Sequence, residues 1–275
     1  YSAPSGSYTV TTTYSDETGG VELEPNGTAA TAQSITSGES IVGTISSADD
    51  YDYYAIEVGA AGQLTVNLVT TEGNSTGWIY GVVDAEGNLL ATDTCRSSYQ
   101  DSCGPYTTSG RSVAVGLSGA GTYYVYVISG SSYSAPSGSY TVTTTYSDET
   151  GGVELEPNGT NATAQSITSG ESIVGTISSA SDYDTYAIEV SAAGKLTVNL
   201  VTSETDVYGW IYGVLDAAGN VLTSDECSYG CTTSGRSVEV GLPGAGTYYI
   251  RIISGSSSYA PSGSYTVTAT YSDET

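Results

Sequence analysis

The chain has 275 residues, 38% of them apolar, which suffices for two domains with cores of their own. Thirty acidic residues against five basic ones give a formal net charge of -25, a field that repels phosphate backbones and anionic lipid and so excludes nucleic-acid binding. The absence of histidine removes Ser-His-Asp and Cys-His catalysis, and no apolar run approaches the ~20 residues of a membrane span.

Residues 1–18, YSAPSGSYTVTTTYSDET, read as a terminal strand, because Tyr8-Thr9-Val10-Thr11 alternates. The same segment recurs without change at 133–150 and with few changes at 258–275. It is therefore expected to be the last strand of a preceding repeat, or to complete a sandwich in a neighbouring molecule. No signal peptide is visible at Tyr1, which suits a processed or excerpted product. A repeat opens at Gly19 with GGVELEPNGTAATAQSITSGESIVGTI, and its counterpart at Gly151 differs at one position of that stretch. The offset of 132 holds from Gly19/Gly151 to Cys95/Cys227 and drops to 125 by Arg111/Arg236, so the length change falls at the cysteine loop. A loop that changes length between fixed flanks lies on the surface. The repeats are thus 19–150 and 151–275.

In the first repeat, alternation predicts strands at 41–45, 53–58, 63–69 and 78–83, then a hairpin turn at Glu86-Gly87-Asn88. Further strands are expected at 112–117, 122–128 and 139–146, with a tight turn at Gly119-Ala120-Gly121. Residues 28–33 allow one short helical turn. About eight short strands in a repeat of this length predict an all-β chain of tandem jelly-roll-like β-sandwich domains. The Tyr and Val stripes, with Trp78 and Trp210, read as core and face packing.

The four cysteines form two close pairs, Cys95 with Cys103 and Cys227 with Cys231, in matching places. A zinc site from all four would require the domains to converge; local disulfides are the expectation, and imply an oxidising, extracellular or cell-surface compartment. N-x-S/T sequons occur at Asn26, Asn74, Asn158 and Asn161. Asn74, in a loop before Trp78, is the cleanest glycan candidate.

Carboxylates supply the chemistry. Glu22, Glu24 and Asn26 alternate, so in an extended segment they project on one side, and Asp50 and Asp52 alternate likewise at a strand start. Two such edges meeting would offer four carboxylates and an amide oxygen, a cage for calcium, which takes six to eight hard oxygens. The second repeat offers Glu154, Glu156, Asn158, Asp182 and Asp184, while Asp49 becomes Ser181 and drops out of the ligand set. The competing reading is a solvated acidic linker. A cation holding Glu154 and Glu156 onto the following domain would shorten the free linker 146–152 and stiffen the array.

The order E-x-E-P-N-G-T, a G-T-I strand, D-Y-D-x-Y, G-T-Y-Y and G-S-Y-T-V resembles the bacterial pre-peptidase C-terminal domain across both repeats. The resemblance implies β-sandwich modules of secreted enzymes and surface proteins, several binding calcium near the domain's start and some binding collagen or other polymers. No peptidase domain accompanies them in this chain.

Two functions follow. One is a non-catalytic structural subunit of an extracellular filament or surface stalk, assembling head to tail with itself or as a longer tandem array. The other is a secreted accessory module for polysaccharide or protein, with glycans as partners and exposed tyrosines of 51–54 and 123–126 as the binding face. Catalysis is not expected: Lys195 is the lone lysine and Gln63 replaces it in the other repeat, and the paired acids recur beside a linker, where a structural cation accounts for them.

Overall fold

The computed structural model describes residues 20–71, 77–95, 110–136, 138–203, 209–227, 235–258, 261 and 264–273. The terminal strand expected at 1–18, together with Cys103, Cys231 and Asn74, lies outside these residues.

Among the described residues, nine strands form the first repeat: β1 (Gln33–Ser34), β2 (Ser40–Gly43), β3 (Tyr51–Val58), β4 (Gly62–Thr70), β5 (Trp78–Val83), β6 (Leu89–Cys95), β7 (Arg111–Leu117), β8 (Gly121–Ser129) and β9 (Tyr140–Ser147). The second repeats them as β10 (Gln165–Ser166), β11 (Ser172–Gly175), β12 (Tyr183–Val190), β13 (Gly194–Thr202), β14 (Trp210–Leu215), β15 (Val221–Cys227), β16 (Arg236–Leu242), β17 (Gly246–Ser254) and β18 (Tyr265–Asp273). Each repeat builds a five-stranded sheet, β1-β3-β8-β5-β6 or β10-β12-β17-β14-β15, and a four-stranded one, β2-β9-β4-β7 or β11-β18-β13-β16. Among the described residues the helical content is one 3-10 turn at Ala29–Thr31, within the stretch expected to hold it. Among the described residues no helix is long and apolar enough to cross a membrane.

Alternation produces the core. Along β4 every second side chain points inward, so Leu64, Val66 and Leu68 lose all contact with solvent and meet Tyr54, Ile56 and Val125 of the other sheet. Trp78 packs edge-on against Tyr140, ring centroids 5.5 Å apart, and Trp210 against Tyr265 at 5.4 Å. Trp78→Ala removes the largest of these fully buried side chains and is expected to cost about 3–5 kcal/mol, read as a lower urea midpoint at constant m-value.

The expected strands are present with shifted ends, and β6 had no boundaries in the sequence. Its alternation is broken by a register shift between Val82 and Val83 of its partner strand, which leaves Leu90 and Ala91 both buried. The hairpin turn is fixed by Asp84, whose carboxylate accepts from the backbone N–H of Glu86 (3.0 Å) and of Asn88 (2.7 Å). The lone lysine, Lys195, pairs in the open with Glu239 across β13 and β16 at 3.1 Å.

Candidate metal centre

The leading segment of each repeat is held by backbone and by one glutamine. Val21 bridges Val42 of β2 in parallel, and the Glu22 N–H donates to the Val42 carbonyl at 3.0 Å. Gln33 of β1 then latches the chain from the side: its Oε1 accepts from Leu23 N at 2.8 Å, and its Nε2 donates to Val21 O at 3.0 Å. Gln165 does the same for Leu155 and Val153. The latch lays the segment across one end of the sandwich, where β3 and β9 of opposite sheets meet.

There the side chains of Glu22, Glu24 and Asp52 converge, as do Glu154, Glu156 and Asp184, each group offering carboxylate oxygens within 4.8 Å of one another. Asn26 and Asn158 close each group and are wholly buried. Most oxygens on the rim are spoken for. Glu22 Oε2 accepts from Thr44 N (2.9 Å) and Glu154 Oε2 from Thr176 N (2.8 Å). Asn26 Nδ2 donates to Glu22 Oε1 (3.2 Å), and Asn158 Nδ2 to Glu154 Oε1 (3.0 Å). The Asn158 N–H pins Glu156 Oε2 at 2.9 Å.

The oxygens left over define the site. Asn26 Oδ1 and Asp52 Oδ1 in the first repeat are buried with no hydrogen-bond partner, as are Asn158 Oδ1, Asp184 Oδ1 and Glu156 Oε1 in the second. A buried acceptor without a donor carries its full desolvation cost. Several such acceptors aimed together, with no nitrogen or sulfur donor among them, fit a hard divalent cation.

Two of the expected ligands stand apart. Asp50 and Asp182 do not join either group; each accepts from the backbone four residues earlier, Ser46 N at 2.6 Å and Ser178 N at 2.7 Å. The reason is that β3 starts at Tyr51, so Asp50 belongs to the turn before it and the alternation with Asp52 does not extend that far. Glu22, Glu24 and Asn26 do converge, through a segment that is not a regular strand.

Four tyrosines that composition assigned to the core complete the walls. The Tyr140 hydroxyl lies 2.5 Å from Asp52 Oδ2, 3.1 Å from Glu22 Oε1 and 2.5 Å from the Tyr54 hydroxyl. Tyr265 stands in the same relation to Asp184 (2.6 Å), Glu154 (2.7 Å) and Tyr186 (2.5 Å). Their signal was in the sequence, since Tyr54 ends D-Y-D-x-Y and Tyr140 is the tyrosine of G-S-Y-T-V.

Burial sets the electrostatics. It pushes Asp52 up to about 9, reinforced by its hydrogen-bonded neighbour Glu22, and Glu156 up to about 9, reinforced by the charge of Glu154. Burial also raises Asp184 well above the usual carboxylate range, and it raises Glu154 against the opposing pull of its hydrogen bonds. Tyr54 and Tyr140 are raised by burial in turn. Burial thus favours the protonated form of each of these acids.

The burial of Asn26 and Asn158 bears on their sequons, because the nitrogen a sugar would occupy is the one that donates into the cage. Asn161 is half-buried and accepts from Arg251 through Oδ1 at 2.9 Å, which leaves its nitrogen out of that contact. Cys95 and Cys227, buried at the ends of β6 and β15, are not free thiols.

Residues 182–254 match the bacterial pre-peptidase C-terminal domain. That stretch includes Asp184 and Tyr186 and starts beyond the leading segment with Glu154 and Glu156. No curated protein matches the sequence. Among solved structures, the chain is similar to the pre-peptidase C-terminal domain of collagenase from Bacillus anthracis, at 17% identity over 41% of this chain and 93% of that one, with a TM-score of 0.30. It is also similar to the tandem CBM51 modules of a family 98 glycoside hydrolase from Streptococcus pneumoniae, at 12% identity over 85% and 83%, TM-score 0.26. The tandem CBM22 domains of Xyn10C from Paenibacillus barcinonensis follow at 10% identity over 79% and 82%, TM-score 0.27. Residues 182–254 of the second repeat thus match the bacterial pre-peptidase C-terminal domain, and the two repeats share one strand order and an equivalent acidic group.

Proposed function

We propose that the chain is a non-catalytic structural subunit of an extracellular stalk or filament, made of tandem β-sandwich repeats that calcium stabilises. One observation supports it above the others: where the chain enters each sandwich, a cluster of three carboxylates includes buried oxygens without a hydrogen-bond partner. Calcium suits this donor set better than magnesium. It accepts many protein oxygens in irregular geometry, whereas magnesium keeps its water and a strict octahedron. Glu22, Glu24, Asn26 and Asp52 would hold one ion and Glu154, Glu156, Asn158 and Asp184 the other. Pairing of Cys95 with Cys103 and of Cys227 with Cys231 would tie down the loops that differ in length, which suits a secreted protein. Sugars, where a host adds them, would go to Asn74 and Asn161 rather than to the cage asparagines.

The test is calcium against chelator, read by calorimetry and by small-angle scattering on the full chain. Calcium is expected to raise the unfolding temperature and to narrow the spread of end-to-end lengths. Unchanged stability and dimensions would defeat the reading. A second reading, an accessory module for a polymer, is favoured by Tyr51 and Tyr183, equivalent residues that are 43% and 45% exposed. Retention on insoluble polysaccharide or fibrous collagen that is lost in the Tyr51→Ala, Tyr183→Ala double variant would favour it.

A further inference from the structure

The two cages share their residues but not their surroundings. Glu154 and Glu156 are buried, whereas Glu22 is half-buried and Glu24 exposed. The cause lies in the first repeat. Its strand β7 is the edge of the four-stranded sheet, and the second repeat lays its leading segment along that edge, with Leu117 bridging Glu156 in parallel. The Glu156 N–H donates to the Gly116 carbonyl at 2.8 Å, and its own carbonyl accepts from Ser118 N at 3.2 Å. Gly116 permits this approach, since a Cβ there would overlap the carbonyl oxygen of Glu154 and crowd Leu155.

We propose that the β7 edge of the first repeat, Gly116 to Ser118, is a positioning wall of the second repeat's cation site, so that cation binding and docking of the two repeats form one linked equilibrium. The inference rests on the cation reading above. Glu156 is the ligand through which it acts. Its backbone is fixed on both sides by the first repeat and its Oε2 is pinned by Asn158, which leaves Oε1 buried and unpartnered on a carboxylate grouped with Glu154 and Asp184. Glu24, its counterpart, has the Asn26 contact at 3.0 Å and nothing equivalent to the wall among the described residues. The adjacent Leu23 is 48% exposed, where Leu155 is half-buried against Gly116.

The second repeat's own edge marks what the wall requires. Gly241 of β16, equivalent to Gly116, is exposed, and a Cβ there would meet nothing within 4 Å. The next residue but one is Pro243 where the first repeat has Ser118. Proline has no N–H to donate, so the second of the two wall bonds cannot form there.

The test uses calcium alone as probe, titrated calorimetrically into the full chain carrying Asp52→Asn, so that the second cage is the one read. Gly116→Val is expected to weaken calcium binding by about tenfold or more, the scale of losses on removing ligand-orienting partners. Ser118→Pro, tolerated by the backbone at the equivalent position 243, is expected to weaken it by a smaller factor. Gly241→Val, the same change in open space, should leave it unaltered. Because coupling is reciprocal, calcium should protect the linker 148–151 from proteolysis in the parent and not in Gly116→Val. Calcium affinity unchanged in both Gly116→Val and Ser118→Pro overturns the proposal, and Ser118→Pro alone decides it if Gly116→Val does not fold. If the parent binds no calcium, the cation reading fails first, and the coupling falls with it.

Discussion

In chelator, the unfolding temperature of the protein is expected to fall as the pH rises from about 5 to about 9, and saturating calcium is expected to abolish that fall. Burial holds Asp52 and Glu156 near 9 in the folded chain, and raises Asp184 and Glu154 as well. Unfolded, the same groups titrate near 4. Between those limits the folded chain binds more protons than the unfolded one, so stability is lost with rising pH. A loss of about 3 kcal/mol per repeat across the interval lowers the unfolding temperature by roughly 10 °C. A bound cation replaces the protons, since ligating carboxylates must be ionised, and its stabilising effect therefore grows with pH. Calorimetric scans in chelator and in calcium at several pH values measure both slopes. A chelated protein whose stability is flat or rises over this range would show that the acids are ionised without the ion.

Asp184→Asn separates the two states in opposite directions. In chelator at pH 8 the variant is expected to be at least as stable as the parent, because an amide fills the site without a charge to neutralise. The Tyr265 hydroxyl, 2.6 Å from the carboxyl oxygen, can donate to an amide oxygen equally well. In calcium the ranking reverses. At a hundredfold excess over Kd a bound ion is worth about 2.7 kcal/mol, and the variant forgoes it in the second repeat. Scanning both proteins with and without calcium gives a crossing of the two rankings. A variant that is weaker than the parent in chelator would mean that Asp184 serves the fold as a carboxylate rather than as a ligand held in reserve.

Most of the fold was legible because its long strands bury alternate residues, and β4 and β13 show that alternation from end to end. The duplication was plainer still, written in the constant spacing of Gly19 and Gly151, Trp78 and Trp210, Cys95 and Cys227. Glu22, Glu24, Asn26 and Asp52 were legible as a group, since acidic and amide side chains alternating near a strand start are a chemical pattern. Asp50 misled because alternation says nothing about where a strand begins. Tyr54 and Tyr140 were hidden by their own apolar rings: a tyrosine that fills a core and one that turns its hydroxyl into a cage look alike in composition. Gln33 reaches back ten residues to Leu23, and the β7 edge meets Glu156 across a domain boundary. No local period encodes either contact.

The difference between Ser118 and Pro243 has a consequence for mechanics. Two repeats nearly identical in sequence present unequal sockets to whatever follows them, one able to grip through two backbone bonds and the other through one. In an array of such units, bending resistance would be graded from joint to joint by the residue after the Gly-Leu edge, and proline would mark the hinges.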